Sequence, residues 1–274
     1  MIYLERKPRA PLDRCIWMLW YARASQIDHR RERALPSGRV EVILNLAQDF
    51  LTDCSQNAPE RVAPSLVVGV RTEYELIDTS DLADLIGIVF RPGGFACFCH
   101  DAVDAFSHRS TALEDVWGGE ARSLRERLQE LASPESRLAC LEHYLMTSYA
   151  DRLGTSRVVA YAVSRFEQSS CMHAANTVRI EQVARETGFS VRHFSQMFRE
   201  HTGVSPKVWC RIQRFLRAVR QMHSGVEVPW AELALDCGYY DQAHFANEFR
   251  AFSGINPSAY SAQRTQWAGH IRVD

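Results

Sequence analysis

The sequence predicts an α+β protein: a β-rich, barrel-like N-terminal domain followed by helices, and an all-α C-terminal domain with two helix-turn-helix motifs joined by a linking helix. Three observations support this prediction. A helical pattern occurs twice near the C-terminus, one amphipathic stretch connects the two copies, and short β-rich segments fill much of the first half.

The C-terminal repeat is defined by matching glycine, aromatic and proline positions. The first copy contains Gly188-Phe189, His193-Phe194, Phe198-Arg199 and Gly203-Val204-Ser205-Pro206. The second copy contains Gly238-Tyr239, His244-Phe245, Phe249-Arg250 and Gly254-Ile255-Asn256-Pro257. The spacings are identical from each His-Phe pair onward, which predicts two copies of one small helical unit.

Local chemistry predicts a helix-turn-helix in each copy. The run 180–187 is amphipathic, and Gly188 allows the positive φ that a tight turn between helices requires. Ser190 is a suitable N-cap for a second helix, and Gly203 is suited to end it. Pro206 is tolerated in the first turn of the following helix, whereas it would break a helix interior.

The segment 207–222 predicts one continuous linking helix because its apolar residues recur on a single face. Its length is about 24 Å at roughly 1.5 Å per residue. With the widths of the flanking helices added, the second helices of the two copies would lie roughly 34 Å apart, which is about one turn of a DNA duplex. A single chain could therefore read two successive segments of the major groove.

The second helix of each copy has a polar outer face. Its residues are Arg192, Ser195, Gln196 and Arg199 in the first copy, and Gln242, His244, Asn247 and Arg250 in the second. Arg, Gln and Asn carry donors and acceptors that match guanine and adenine edges. The alternative is an ordinary pair of helical hairpins without a DNA-reading face. The aromatic positions Phe194, Phe198, Phe245 and Phe249 are core under either interpretation.

Residues 179–260 resemble the DNA-binding domain of the AraC/XylS family of bacterial transcription regulators, most closely over 234–257. The resemblance implies two recognition helices in adjacent major grooves, and a separate domain that senses a small molecule or mediates dimerisation. By position, it implies base-reading roles for Arg192, Ser195, Gln196, Gln242, Ala243, His244 and Asn247. Ala243 and Asn247 depart from the family because longer polar or basic side chains are common there. The second readout is therefore expected to be weaker or to favour thymine methyl groups.

The N-terminal half has a different pattern, with short β-rich segments between clusters of Pro, Gly, Asn and Asp. The predicted strands lie within 16–21, 40–46, 66–70, 74–77 and 85–90. Three helical segments follow, at 121–131, 135–153 and 155–169. The predicted units are a β-rich sensor or dimerisation domain (1–155), a helical linker (156–176), the double helix-turn-helix domain (177–262) and a C-terminal tail (263–274).

The N-terminal half also resembles an uncharacterised sensor-like domain that precedes some AraC-type DNA-binding domains. The resemblance is carried by Leu35-Pro36-Ser37-Gly38, by 87–94 and by 113–118. Aromatic residues in this half are expected either to line an apolar cavity for a small ligand or to be plain core. The candidate ligand-binding residues are Trp17, Trp20, Tyr21, Phe90 and Phe95.

Composition argues against several other classes of protein. The net charge of −1 divides into +3 from residue 173 onward and −4 before it, so affinity for random DNA should be modest and salt-sensitive. The longest apolar stretch, 15–22, is too short to cross a membrane. The sequence shows no zinc-ligand spacing, so no metal, cofactor or catalytic set is predicted. The eight cysteines are expected to be reduced, with redox sensing by Cys97, Cys99 or Cys171 left as an alternative.

These observations predict a non-enzymatic transcription regulator of the bacterial cytoplasm, associated with the nucleoid. Its expected partners are double-stranded promoter DNA, RNA polymerase, a small-molecule effector and a second copy of the chain, without a membrane. One alternative is a DNA-targeted repair enzyme with a thiol that accepts alkyl groups, which needs an activated cysteine. Another alternative is a constitutive DNA-binding regulator that has no ligand.

Overall fold

The computed structural model describes residues 2–24, 29–54, 59–81, 83–170, 179–225, 229–265 and 267–273. Its strands are β1 (Ile2–Arg6), β2 (Ile16–Arg23), β3 (Arg31–Ala34), β4 (Glu41–Asn45), β5 (Leu51–Asp53), β6 (Glu60–Val62), β7 (Ser65–Val68), β8 (Glu75–Asp78), β9 (Leu85–Phe90), β10 (Ser110–Ala112) and β11 (His270–Val273). Its α-helices are α1 (Leu113–Trp117), α2 (Gly119–Glu130), α3 (Pro134–Tyr149), α4 (Arg157–Ser170), α5 (Ile180–Glu186), α6 (Val191–Thr202), α7 (Pro206–His223), α8 (Trp230–Asp236), α9 (Gln242–Ser253) and α10 (Pro257–Gln263).

The predicted α+β fold class is confirmed, with strands concentrated in the first half and helices in the second. The five predicted strands correspond to β2, β4, β7, β8 and β9. The described strands β1, β3, β5, β6, β10 and β11 were not predicted. Several of these are only three or four residues long and rich in charged residues, so they lack the apolar alternation that identifies a half-buried strand.

The strands form two antiparallel sheets. Sheet A has the order β1-β2-β9-β4-β7-β10, and sheet B has the order β11-β3-β8-β5-β6. In sheet A, Trp20 lies opposite Gly87, and Gly87 lies opposite Ile43. Because side chains alternate between the faces of a sheet, these three positions share one face. The same alternation places Leu19 and Val42 on the other face of sheet A, where they are fully buried.

The N-terminal and C-terminal parts share one hydrophobic core. A continuous cluster of buried side chains includes Leu44 of sheet A, Phe166 of α4 and both helix-turn-helix motifs. Burial of apolar surface across this junction stabilises the arrangement of the two parts. Among the described residues, no helix is both long enough and apolar enough to span a bilayer.

The segment expected to be only a C-terminal tail contains a strand of sheet B. In this strand, β11, Ile271 lies opposite Arg33 of β3 and its side chain is fully buried. The end of the chain therefore returns to the N-terminal sheet, which local sequence signals did not indicate. The predicted linker 156–176 includes α4, whereas its remainder from 171 onward lies outside the described residues.

Candidate DNA-binding surface and N-terminal cavity

The first helix-turn-helix motif consists of α5 and α6. Gly188 has a φ of 80°, and Gly203 ends α6 with a φ of 89°. The Ser190 hydroxyl accepts a hydrogen bond from the backbone N–H of His193 at 3.3 Å, as an N-cap does. Phe198 on the inner face of α6 is fully buried. The predicted turn and cap residues are confirmed, and Arg192 and Gln196 on the outer face of α6 are exposed.

The second motif, α8 and α9, repeats this construction with different side chains. Gly238 has a φ of 82°, and Gly254 ends α9 with a φ of 73°. Asp241 is the N-cap, and its Oδ1 accepts a hydrogen bond from the backbone N–H of His244 at 2.7 Å. Phe249 is fully buried on the inner face. The one-residue offset between the two copies thus lies in the turn before the second helix.

The linking helix α7 holds both recognition helices through aromatic contacts. The Trp209 ring lies 6.3 Å from the Phe198 ring of α6, between centroids. The Phe215 ring lies 5.2 Å from Phe249 of α9 and 5.0 Å from Phe252. The helix contains 18 residues, which corresponds to about 27 Å. Both motifs are therefore anchored to one continuous linking helix, as predicted.

The predicted DNA-contacting residues lie on the outer faces of these two helices. Arg192, Gln196, Arg199, Gln242, Ala243, Asn247 and Arg250 are exposed, whereas Ser195 and His244 are half-buried. Gln196 Nε2 donates a hydrogen bond to Glu200 Oε1 at 2.9 Å. The His244 ring accepts one from the backbone N–H of Tyr240 at 3.3 Å. Two capped helices thus present polar side chains to solvent, while the role of each residue on DNA remains a prediction.

One end of α6 contacts the N-terminal half. Arg199 Nε lies 3.0 Å from Asp104 Oδ2, in a short 3₁₀ helix (Val103–Phe106). The Ser107 hydroxyl donates a hydrogen bond to the carbonyl of Gly203 at 2.5 Å. The Asp104 carboxylate is therefore paired with Arg199, one of the cations expected to contact DNA.

Helix α4 is tied to the first motif by a surface cluster around Glu186. Arg165 Nη2 lies 3.1 Å from Glu186 Oε1, and the Tyr161 hydroxyl donates to Oε2 at 3.0 Å. Hydrogen bonds from Arg165 and Gln182 lower the pKa of Glu186 to about 2. The carboxylate is therefore ionised at neutral pH, and its contacts with Tyr161 and Arg165 connect α4 to α5.

A large cavity lies between the two sheets of the N-terminal half. Its volume is about 1110 Å³, and strands of both sheets and C-terminal residues that include Trp267 and His270 line it. Cavities that bind small molecules commonly enclose about 300 to 1,000 Å³. The volume of this cavity is therefore sufficient for a small organic ligand.

Trp20 is the one among the five candidate ligand-binding aromatics that lines this cavity. Trp17 lies outside it with 39% of its surface exposed, and its ring centroid is 4.8 Å from the Arg39 guanidinium. Tyr21 is fully buried, and Phe90 packs in the core with its ring centroid 5.1 Å from that of Phe95. Tyr21, Phe90 and Phe95 are thus core residues, the alternative expected from the sequence, whereas Trp17 is a surface residue that neither expectation describes.

The cysteines with a suggested redox role are buried where the structure describes them. Cys97 and Cys99 are 5% and 3% exposed, whereas Cys171 lies outside the described residues. The Sγ atoms of Cys15 and Cys97 lie 3.5 Å apart. Hydrogen bonding from the Cys15 thiol lowers the pKa of Cys97, and burial raises the pKa of Cys99 to about 12. Redox sensing remains a hypothesis. Within the described ranges, no group of three or more His, Cys, Asp or Glu residues is arranged to hold a metal ion.

Sequence reasoning missed the Asp104 contact with α6 and the C-terminal contribution to the cavity. Asp104 belongs to a short 3₁₀ helix far from Arg199 in sequence. Strand β11 has only four residues, and its partner β3 lies more than 230 positions earlier. The alternation of His270 and Arg272 with buried Ile271 was a weak strand signal, but it could not identify the partner strand.

Two family models match the chain. Residues 183–263 match a helix-turn-helix domain. Residues 4–112 match a domain of unknown function, DUF6597. The two matches correspond to the C-terminal motifs and to most of the two sheets.

Curated relatives resemble the C-terminal part. The HTH-type transcriptional regulator ExsA of Pseudomonas aeruginosa is 27% identical over 96 residues, which cover 35% of this chain and 34% of the relative. The regulatory protein PocR of Salmonella typhimurium is 28% identical over 91 residues, 33% of this chain and 30% of the relative. The chain thus spans about a third of the length of these relatives.

The solved DNA-binding domain of the transcriptional factor AdpA, in complex with a target DNA, is also similar. It is 29% identical, has a TM-score of 0.34, and the likeness covers 39% of this chain and 92% of that one. The helix-turn-helix family match and the curated relatives coincide with the two capped, polar-faced motifs. The C-terminal domain is thus similar to the helix-turn-helix domains of AraC-type transcription regulators, which supports the resemblance to the AraC/XylS family.

Proposed function

We propose that this protein is a sequence-specific DNA-binding transcription regulator in which α6 and α9 read two adjacent major-groove segments of a promoter. The observation that carries the proposal is the pair of N-capped helices, each anchored to α7 by aromatic residues and each with a polar outer face. A rigid spacer favours simultaneous engagement of two segments, since the geometry is set before binding.

Within this proposal, the base-reading residues are Arg192, Ser195, Gln196, Gln242, Ala243, His244 and Asn247. Arg199 and Arg250 lie three residues beyond Gln196 and Asn247 in the same helices and are assigned to the phosphate backbone. This assignment separates residues that specify sequence from residues that give affinity.

The N-terminal half is proposed to sense a small effector in the cavity between the sheets, and to form the contacts of a homodimer. The cavity volume and its mixed polar and apolar walls support the first role. An effector that prefers one arrangement of the two halves would shift the population able to engage both DNA segments. The proposal also includes contact with RNA polymerase and a location on the nucleoid in the bacterial cytoplasm. It does not include catalysis.

Selection of bound sites from random duplex DNA, at near-physiological salt, tests the proposed function. The expected result is a motif with two short conserved blocks about ten base pairs apart, since one helical turn separates successive major grooves on one face. Enrichment of a single block would contradict two-helix reading. Failure to enrich any sequence, both with the purified protein and with cell extract added to supply an effector, would count against the proposal as a whole.

Replacing Gln196 by Ala should relax base preference at one position and cost about 1 to 3 kcal/mol of binding free energy if the amide contacts an adenine edge. Gln182→Ala is a matched control because its Nε2 donates to Glu186 Oε1 at 2.9 Å, as that of Gln196 does to Glu200. Titration on selected and random duplexes provides the measurement. Equal losses on both duplexes for Gln196→Ala would contradict a base-reading role.

Replacing Asp104 by Asn should raise affinity for both selected and random DNA by about two- to fivefold at low salt. Exposed ion pairs contribute up to about 1 kcal/mol, and this one must break before Arg199 can meet a phosphate. The control is Asp101→Asn, which removes an exposed carboxylate from the adjacent loop. Salt-dependent binding titrations measure the effect, and the same affinity for both variants would contradict the competition between Asp104 and DNA.

A further inference from the structure

The cavity between the sheets has an aromatic wall built on a glycine. The Trp20 side chain covers Gly87 so closely that a Cβ at that position would lie 2.3 Å from Trp20 Cε2. Ile43, Val68 and Val89 of the neighbouring strands line the same side of the cavity. Sheet A thus offers an apolar surface with an indole, on which a flat molecule can stack.

The charged groups around this surface have an excess of negative charge. Six carboxylates and four guanidinium groups line the cavity, together with two histidines. Most of the acidic side chains have their own partners. Glu75 Oε1 lies 2.7 Å from Arg71 Nη2, and Glu32 Oε2 lies 2.9 Å from His270 Nδ1. Glu32 also contacts His29.

Glu41 differs from these carboxylates. Among the described residues, no ion pair within 4 Å connects it to a cation, and the nearby Ser37 side chain lowers its pKa. The charges that act on it from further away are those of His270 and Arg39. The Arg39 guanidinium, at the wall of the cavity, donates to the carbonyl of Phe90 at 3.4 Å and lies over the Trp17 ring. Burial raises the pKa of Glu41, as expected for a carboxylate without a close counter-charge.

We propose that this cavity binds an organic cation with a flat apolar body, with the positive group at Glu41 and the body against Trp20. A half-buried carboxylate with an adjacent aromatic surface is suited to a cationic amine, because charge pairing and cation–π attraction both act in a partly desolvated site. This inference rests on the proposed effector-sensing function and specifies the chemistry of the effector.

The C-terminal segment connects the cavity to α9, the second helix proposed to read DNA. Trp267 and His270 line the cavity, and the Trp267 ring lies 4.7 Å from Tyr3 of β1. This segment follows α10, in which the Tyr260 hydroxyl donates to the carbonyl of Ala268 at 3.0 Å. The Tyr260 ring lies 5.6 Å from Phe249 of α9. An occupant of the cavity therefore contacts the chain that leads directly from the second recognition helix, and it can bias that helix's position.

The test compares three probes with the same indole body: tryptamine (cation), tryptophol (neutral) and indole-3-acetate (anion). Isothermal titration of the full chain should give the tightest binding for tryptamine, about tenfold tighter than for tryptophol, because a charge-assisted hydrogen bond is added. Indole-3-acetate should bind most weakly. Equal affinity for the three probes, preference for the anion, or failure of all three to bind would each overturn the proposal.

Glu41→Gln separates the charge at this position from the shape of the cavity. The variant should lose about tenfold in tryptamine affinity while its tryptophol affinity stays within about twofold, since the amide keeps the size of the carboxylate. Retained tryptophol binding shows that the variant is folded. The control, Glu126→Gln, removes an exposed carboxylate of α2 and should change neither affinity. Unchanged tryptamine affinity in Glu41→Gln would overturn the assignment of Glu41.

Failure of this inference is distinguishable from failure of the proposed function. A protein that selects two-block DNA sites but does not prefer tryptamine contradicts only the cation site. A protein that prefers tryptamine through Glu41 but enriches no DNA sequence contradicts the proposed function as a DNA-binding regulator. Gly87→Ala adds a further check, because displacement of Trp20 by the new Cβ should weaken tryptamine and tryptophol alike.

Discussion

Replacing Arg137 by Ala should lower the free energy of unfolding by about 3 to 5 kcal/mol, because it leaves the buried Asp84 carboxylate with only the exposed Arg23, 3.9 Å away, as a counter-charge. Arg137 Nη1 lies 2.9 and 2.8 Å from the two carboxylate oxygens of Asp84, and both side chains are about 10% exposed. The same nitrogen donates to the Tyr21 hydroxyl at 3.2 Å. Loss of this side chain therefore removes the buried polar connection between α3 and sheet A, while the apolar contacts of α3 in the shared core remain. Chemical denaturation followed by circular dichroism measures the change.

Two companion variants test the reason for this effect. Arg122→Ala breaks an exposed pair with Glu114 at 2.6 Å and should leave stability unchanged within experimental error. Combining Arg137→Met with Asp84→Leu should recover much of the lost stability, since no unpaired charge remains buried. If Arg137→Ala lowered the free energy of unfolding no more than Arg122→Ala does, the buried pair would not connect α3 to the sheet in solution.

Replacing Ile271 by Ala should lower the free energy of unfolding by about 2 to 5 kcal/mol, as expected for a large-to-small change at a fully buried position. Ile271 has no exposed surface and belongs to the main core, although it is only three residues from the C-terminal end of the sequence. An unattached tail would tolerate this change without a measurable effect. Thermal and denaturant unfolding of the full chain distinguish these outcomes.

Val273→Ala is the matched control for Ile271→Ala. Val273 belongs to the same strand, opposite Arg31, but it is only half-buried. Its replacement should therefore cost clearly less than that of Ile271. Equal costs for the two variants would indicate that β11 does not pack on the core as the structure places it.

The helix-turn-helix region could be predicted almost residue by residue because its signals are local. Gly188 and Gly203 have the positive φ values that a turn and a helix end require. Ser190 and Ser205 cap the helices that follow them, each by accepting a backbone hydrogen bond three residues ahead. Each of these features depends on a few neighbouring residues, so a linear sequence contains nearly all the information needed.

The candidate ligand site could be predicted only in part, because alternation does not reveal which face of a sheet borders a cavity. Trp20 and Tyr21 are adjacent in β2 and therefore point to opposite sides of sheet A. Trp20 lines the cavity, whereas Tyr21 is buried beside Arg137. Both are aromatic residues of a β-rich segment, and the sequence does not distinguish them. Glu41 was missed because its significance depends on which cations lie near it in space.

The sequence by itself determined the α+β class, the duplicated helix-turn-helix motif, its caps and its polar outer faces, because these follow from side-chain periodicity and local backbone preferences. The tertiary structure alone decided that β11 joins β3, that Asp104 contacts Arg199, and that sheet A and sheet B enclose a cavity beside Glu41. These contacts join residues far apart in the chain. They form only when burial of the shared core offsets the loss of chain entropy, so no local pattern records them.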